Sequence, residues 1–194
     1  MDTKIKEEAL KLFASKGYEN TTIREIGKAV GIRGSSIYAH YKSKEEIFLI
    51  VVNELFEKIT WENDCKPVVG NGKDLKTVLS NIFKNYYIFF STHKFELQLW
   101  QRIRFFIPSG MEGKYDTNRL LSQKPIVEGY LELFEEGIKT KQLKNADTGL
   151  LVMSFFSYIS GFTDSLMIVP YKLSENQLDT CFEVFWDGIK ENMN

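Results

Sequence analysis

Little in this chain can hold a metal, a disulfide framework or a phosphate cradle. It has two cysteines, Cys65 and Cys181, far apart in sequence. Neither sits in a CxxC pair or a histidine-rich cluster, which argues against metal ligation. Two thiols without an export signal read as reduced and cytoplasmic, and the opening MDTKIKEEAL is charged and amphipathic, unlike a signal peptide. The two histidines, His40 and His93, come without a nucleophile motif, a phosphate-binding glycine loop or a metal cluster. No catalytic residue, cofactor or metal is therefore expected, and the chain does not read as an enzyme. A net charge of -1 excludes a globally basic DNA coat. One apolar run, residues 150–169, is long enough to be tested as a membrane span. It is broken by Ser154, Ser157, Ser160, Thr163, Asp164 and Ser165 and reads as a buried helix.

What is present is helical periodicity. With 194 residues, 43% of them hydrophobic, the chain can build one large or two small domains around a proper core. No repeat and no sustained strand alternation occurs, so the expected class is all-α. Ile5, Ala9, Leu12 and Phe13 mark a first helix that Gly17 ends. A fourth helix begins near Ser43, with capping-box spacing to Glu46, and runs to about Trp61. It is placed to act as a mechanical link. Residues 64–73, with Pro67, Gly70 and Gly72, read as a loop and as the domain boundary, giving domains 1–60 and 61–194. Helices then follow over about 74–91, 93–106, 125–140, 147–167 and 174–192, with a polar, glycine-containing loop at 108–124.

The organising stretch is TTIREIGKAVGIRGSSIYAHYKSK, residues 21–44. Thr22 and Glu25 have capping-box spacing. Ile23, Ile26 and Val30 line one face of a short helix. Gly31 stops it, because glycine enters a left-handed turn cheaply. Ile32 plugs the turn, and residues 33–41 can form a second helix with Ile37 inward. That is the layout of a helix-turn-helix, whose second helix enters the major groove. Charge supports it. Up to Lys44, Lys4, Lys6, Lys11, Lys16, Arg24, Lys28, Arg33, Lys42 and Lys44 outnumber Asp2, Glu7, Glu8, Glu19 and Glu25, and the balance beyond turns acidic.

Residues 5–55 resemble the DNA-binding domain of the TetR family of bacterial repressors. The matching positions are Ala9, Leu12-Phe13, Gly17-Tyr18, Thr21-Thr22, Ile26, Gly31-Ile32, Ile37-Tyr38, His40-Tyr41 and Ser43-Lys44. Three departures stand out: Gly27 for a usual Ala, read as a mild packing change; Arg33 for a common capping Ser; and Ser35 for a frequent Gly. The last keeps base preference from being carried over from relatives.

The resemblance implies an amino-terminal helix-turn-helix domain, a carboxy-terminal helical domain for ligand binding and dimerisation, and about nine helices. Thr22 can bind a phosphate at a helix start and also act as an N-cap. Tyr38, His40 and Lys44 match backbone-gripping positions. Arg33, Gly34, Ser35 and Ser36 open the reading helix, where Arg33 can bond guanine or a phosphate. Tyr41 packs beneath. Tyr86, Phe90, Trp100, Arg104 and Phe105 are the candidate pocket for a small-molecule effector, though aromatic stripes often serve only as core. Phe155, Tyr158, Ile159 and Phe162, with Leu178, Phe182, Phe185, Trp186 and Ile189, are the candidate face of a two-fold four-helix bundle, unless one chain packs them internally. The expected function is a homodimeric, cytoplasmic transcriptional regulator, a repressor released from a palindromic DNA operator by the effector, with no membrane partner. The alternative is a helical dimeric protein-binding module.

Overall fold

The computed structural model describes residues 1–59, 74–106, 108–111, 124–169 and 172–191. Among these residues the chain forms nine helices and no strand. A lone bridge joins Leu143 to Lys190. The all-α class is the one observed. The expected helix end at Trp61, the loop at 64–73, Cys65, and residues 112–123 of the polar loop lie outside the described residues.

The helices sort into two compact units. One takes residues 1–58 and 93–120, the other 59–92 and 121–194. This differs from the expected single cut near residue 60. Proline and glycine mark where a helix stops, but not which core a later helix joins.

The first unit begins with α1, Asp2–Lys16. Its apolar stripe, Ile5, Ala9 and Phe13, is fully buried. Gly17, at φ 84, ends it in a conformation a side chain would resist. Next come α2, Ile23–Val30, and α3, Gly34–Ile37. The second helix of the motif is thus shorter than the expected 33–41, since residues 38–40 continue as a turn. In α4, Lys44–Glu57, the Ser43 side chain accepts the Glu46 N–H as expected. The Glu46 carboxylate, however, accepts from the Lys42 N–H rather than from Ser43, so the capping box is incomplete. Phe13 meets Phe48 edge-on at 5.1 Å, tying α1 to α4. Helix α6, Lys94–Phe105, which follows α5 (Leu75–Thr92) in the chain, buries Leu97, Leu99 and Ile103 and packs on α1.

The second unit contains α5, Leu75–Thr92; α7, Lys124–Lys139; α8, Thr148–Ser165; and α9, Glu175–Ile189. Helix α8 packs on α5 and α7, and α9 on α5. Their core includes Leu79, Phe83, Tyr130, Phe134, Phe155 and Phe182. Each such side chain contributes about 1.5–3 kcal/mol by leaving water. Asp147 and Ser174 cap α8 and α9, the latter with a full capping box to Gln177. Among the described residues no helix is long and apolar enough to cross a membrane.

Candidate nucleic-acid interface

The start of α2 is built by one carboxylate. Glu25 donates its backbone N–H to Thr22 Oγ1 at 3.2 Å, and its side chain accepts from the Thr22 N–H and hydroxyl, both at 2.9 Å. Lys16 adds an ion pair at 2.7 Å. The Lys16 bond first, then those from Thr22, hold the Glu25 carboxyl down at about 2. Thr22 remains exposed. Its capping role is realised, and its hydroxyl is engaged with Glu25.

Gly31, at φ 85 and ψ 24, supplies the left-handed turn. Ile32 donates its N–H back to the Gly27 carbonyl at 2.9 Å. Arg33 is extended and precedes α3 without a side-chain cap bond. The α2–α3 approach needs two glycines. A Cβ on Gly27 would lie 3.0 Å from Gly34 backbone atoms and 3.1 Å from the Ile32 carbonyl oxygen. A Cβ on Gly34 would lie 3.1 Å from Arg24 Cα. Gly27 is therefore more than a mild packing change, because its neighbours are backbone.

Ile37 is fully buried, and this turns the rest of α3 outward. Arg33, Ser35, Ser36, Tyr38 and His40 are exposed, and Tyr38 keeps 60% of its surface. Tyr41 is buried beneath, as expected. A surface hollow of about 840 Å³ brings Arg33, Gly34, Ser35 and Tyr38 together with Ile23, Arg24, Lys28, Gly31 and Ile32. Arg24 and Lys28 were not singled out as contacts from the sequence. Their spacing of four on α2 puts them on one face and was the available signal.

Four candidates lie elsewhere, Thr22 at the start of α2 among them. Ser36 and His40 do not line the hollow, and His40 Nδ1 sits 2.5 Å from Asp2 Oδ1. Lys44 turns inward: its amino group donates to the Tyr18 carbonyl at 2.7 Å and lies 4.1 Å from the Tyr18 ring centre. Burial lowers its pKa below the usual lysine value. It braces the turn after α1 instead of standing free as a point charge.

The expected effector residues divide between the two units. Phe90 is buried and Tyr86 half-buried on α5, in the second unit. Trp100, Arg104 and Phe105 are on α6, in the first. There the Trp100 ring meets Phe56 at 5.3 Å, and the Arg104 guanidinium lies over the Trp100 and Phe105 rings at 5.8 and 5.1 Å. The expected dimer face divides by burial. Phe155, Ile159, Leu178, Phe182, Trp186 and Ile189 are buried in their own unit, and Tyr158, Phe162 and Phe185 pack against the same core. The stripe at spacings of three and four is the one α8 and α9 turn inward. Their exposed apolar side chains are Leu150, Met153 and Val184. Among the described residues no group of acidic, histidine and cysteine side chains could hold a metal.

Residues 5–51 match the model of the bacterial regulatory proteins, tetR family. The chain carries the TetR-family amino-terminal domain. Over this region it is similar to the biofilm operon icaADBC HTH-type negative transcriptional regulator IcaR of Staphylococcus epidermidis, 45% identical over 56 residues. That match spans 29% of this chain and 30% of IcaR. The HTH-type transcriptional regulator TcmR of Streptomyces glaucescens is 34% identical over 64 residues, 33% of this chain and 28% of TcmR. The TetR-type likeness in fold runs through nearly the whole chain. A TetR family transcription regulator from Marinobacter aquaeolei VT8 superposes with a TM-score of 0.74 at 15% identity, covering 98% of this chain and 96% of that one. A TetR-family transcriptional regulator from Haemophilus influenzae RD gives 0.71 at 15% identity, with 98% and 96% covered.

Proposed function

We propose that this chain is a cytoplasmic, homodimeric DNA-binding transcriptional regulator, a repressor that a small-molecule effector releases from a palindromic operator. The observation that carries the reading is the face around α3. In a TetR-family domain, Arg33, Ser35 and Tyr38 stand exposed beside Arg24 and Lys28, while Ile37 anchors the helix from below. Cations there attract the duplex, and the short polar side chains can reach base edges. One short helix reads few base pairs. Two held about 34 Å apart read a palindrome, which is the physical reason for a dimer. Repression accords with the negative regulator IcaR, to which the domain is similar. The effector would act by binding better to a conformer that fits DNA poorly, and DNA would weaken its binding by the same factor.

The test is selection of bound duplexes from a random pool. The parent should enrich a palindrome, and Tyr38→Ala and Arg33→Ala should lose affinity while remaining folded. A folded dimer that enriches nothing would overturn the reading and favour a protein-binding module.

A further inference from the structure

The turn that delivers α2 is tied from outside the family-matched segment. A helix end leaves its last carbonyls without partners, and the following turn adds more. From Phe13 to Tyr18 every carbonyl is engaged here. Phe13 accepts the Gly17 N–H at 3.0 Å. Ala14 accepts from Arg102 Nε at 2.7 Å, and Ser15 from a terminal nitrogen of the same guanidinium at 3.0 Å. Lys16 accepts from the Asn20 side chain at 3.2 Å, Gly17 from the Thr21 hydroxyl at 2.8 Å, and Tyr18 from Lys44 at 2.7 Å. Arg102 lies on α6 and places its charge at the C-terminus of α1, where the helix dipole favours a cation. A second tie follows on the same segment: the Ser109 N–H donates to Glu19 Oε1 at 3.1 Å. Thr22 and α2 begin immediately afterwards.

We propose that Arg102 is a positioning residue for the helix-turn-helix. By fixing the end of α1 it sets where α2 and α3 start, and so it sets duplex affinity without touching DNA. This rests on the DNA-binding reading above. Loss of the guanidinium frees the Ala14 and Ser15 carbonyls and loosens residues 14–22 while the cores stay intact. Lysine retains the charge but not the fork that bonds two carbonyls at once.

The experiment compares the full chain with Arg102→Ala and Arg102→Lys, using the palindrome selected by the parent. Expected are faster amide exchange confined to residues 14–25 and a duplex affinity about fivefold lower for the alanine variant, with partial rescue by lysine. The melting temperature and the salt dependence of binding should stay near those of the parent. Unchanged exchange and affinity would overturn the proposal. So would a salt slope smaller by about one, the mark of a direct phosphate contact. An affinity loss fully explained by global unfolding would overturn it as well. If the parent selects no duplex, the DNA-binding reading itself fails and the proposal falls with it; a parent that binds while both variants behave identically to it removes the proposal alone.

Discussion

Single side chains carry the sharpest consequences. Glu25 has its carboxyl held at about 2 by Lys16 and Thr22, against an ordinary 4.5. A depressed carboxylate adds stability above its unfolded pKa and loses it as pH falls through the folded one. The start of α2 should therefore weaken between about pH 4.5 and pH 2. A Glu25→Gln variant should be less stable than the parent at neutral pH and show a smaller loss in that window, as read by urea unfolding from pH 7 to pH 2. Added salt should narrow the difference, because the pair is solvent-exposed. Tyr158 offers the opposite case. Its hydroxyl is buried and, among the described residues, meets no hydrogen-bond partner. Burial also pushes its pKa up. Tyr158→Phe should leave thermal stability unchanged or raise it by up to about 1 kcal/mol. A marked loss would mean that the hydroxyl finds an acceptor on another molecule. On α2, Arg24→Ala should weaken binding to all duplexes alike and lower the salt slope by about one, as a phosphate contact requires.

At the level of elements, what an added side chain would meet decides the cost of a substitution. Gly137 in α7 faces Leu75 and Leu143, and an added Cβ would clash with the tip of the first and lie 2.9 Å from the tip of the second. Both leucines are buried. Alanine improves helix propensity by up to about 1 kcal/mol, but overpacking of this kind costs about 1–3 kcal/mol. Gly137→Ala should therefore be mildly destabilising, which chemical denaturation would show as a lower midpoint at constant slope. The helix-turn-helix was readable because its rules are local: a cap at Thr22, a left-handed glycine at 31 and one inward residue at 37. The length of α3 was less readable, because no local signal separates a helix that ends at Ile37 from one that runs on to Tyr41.

For the molecule as a whole, the proposed dimer can be tested by substitution on α8 and α9. Phe155 lies in the second unit's own core, so Phe155→Ala should destabilise that unit by about 3–5 kcal/mol and say nothing about association. If the proposed dimer forms through α8 and α9, the exposed Met153 and Val184 and the half-buried Tyr158, Phe162 and Phe185 are the apolar side chains it can cover. Val184→Arg should then give a folded monomer in sedimentation experiments, with duplex affinity reduced because two reading helices are no longer held together. A variant that remains dimeric would place the interface on another surface.

Composition and local pattern by themselves determined the all-α class and the helix-turn-helix with its outward Arg33, Ser35 and Tyr38. These follow from spacing, capping and glycine chemistry within a few residues, which the chain carries wherever it folds. Only the tertiary structure decided that α6 joins the amino-terminal unit, that Arg102 bonds the end of α1 and Lys44 the turn after it, and that Phe155, Ile159, Leu178 and Phe182 of α8 and α9 are buried in their own unit's core. Each of these sets one helix's apolar face or free carbonyls against a partner distant in sequence. Periodicity shows that such a face must be covered, but not by what.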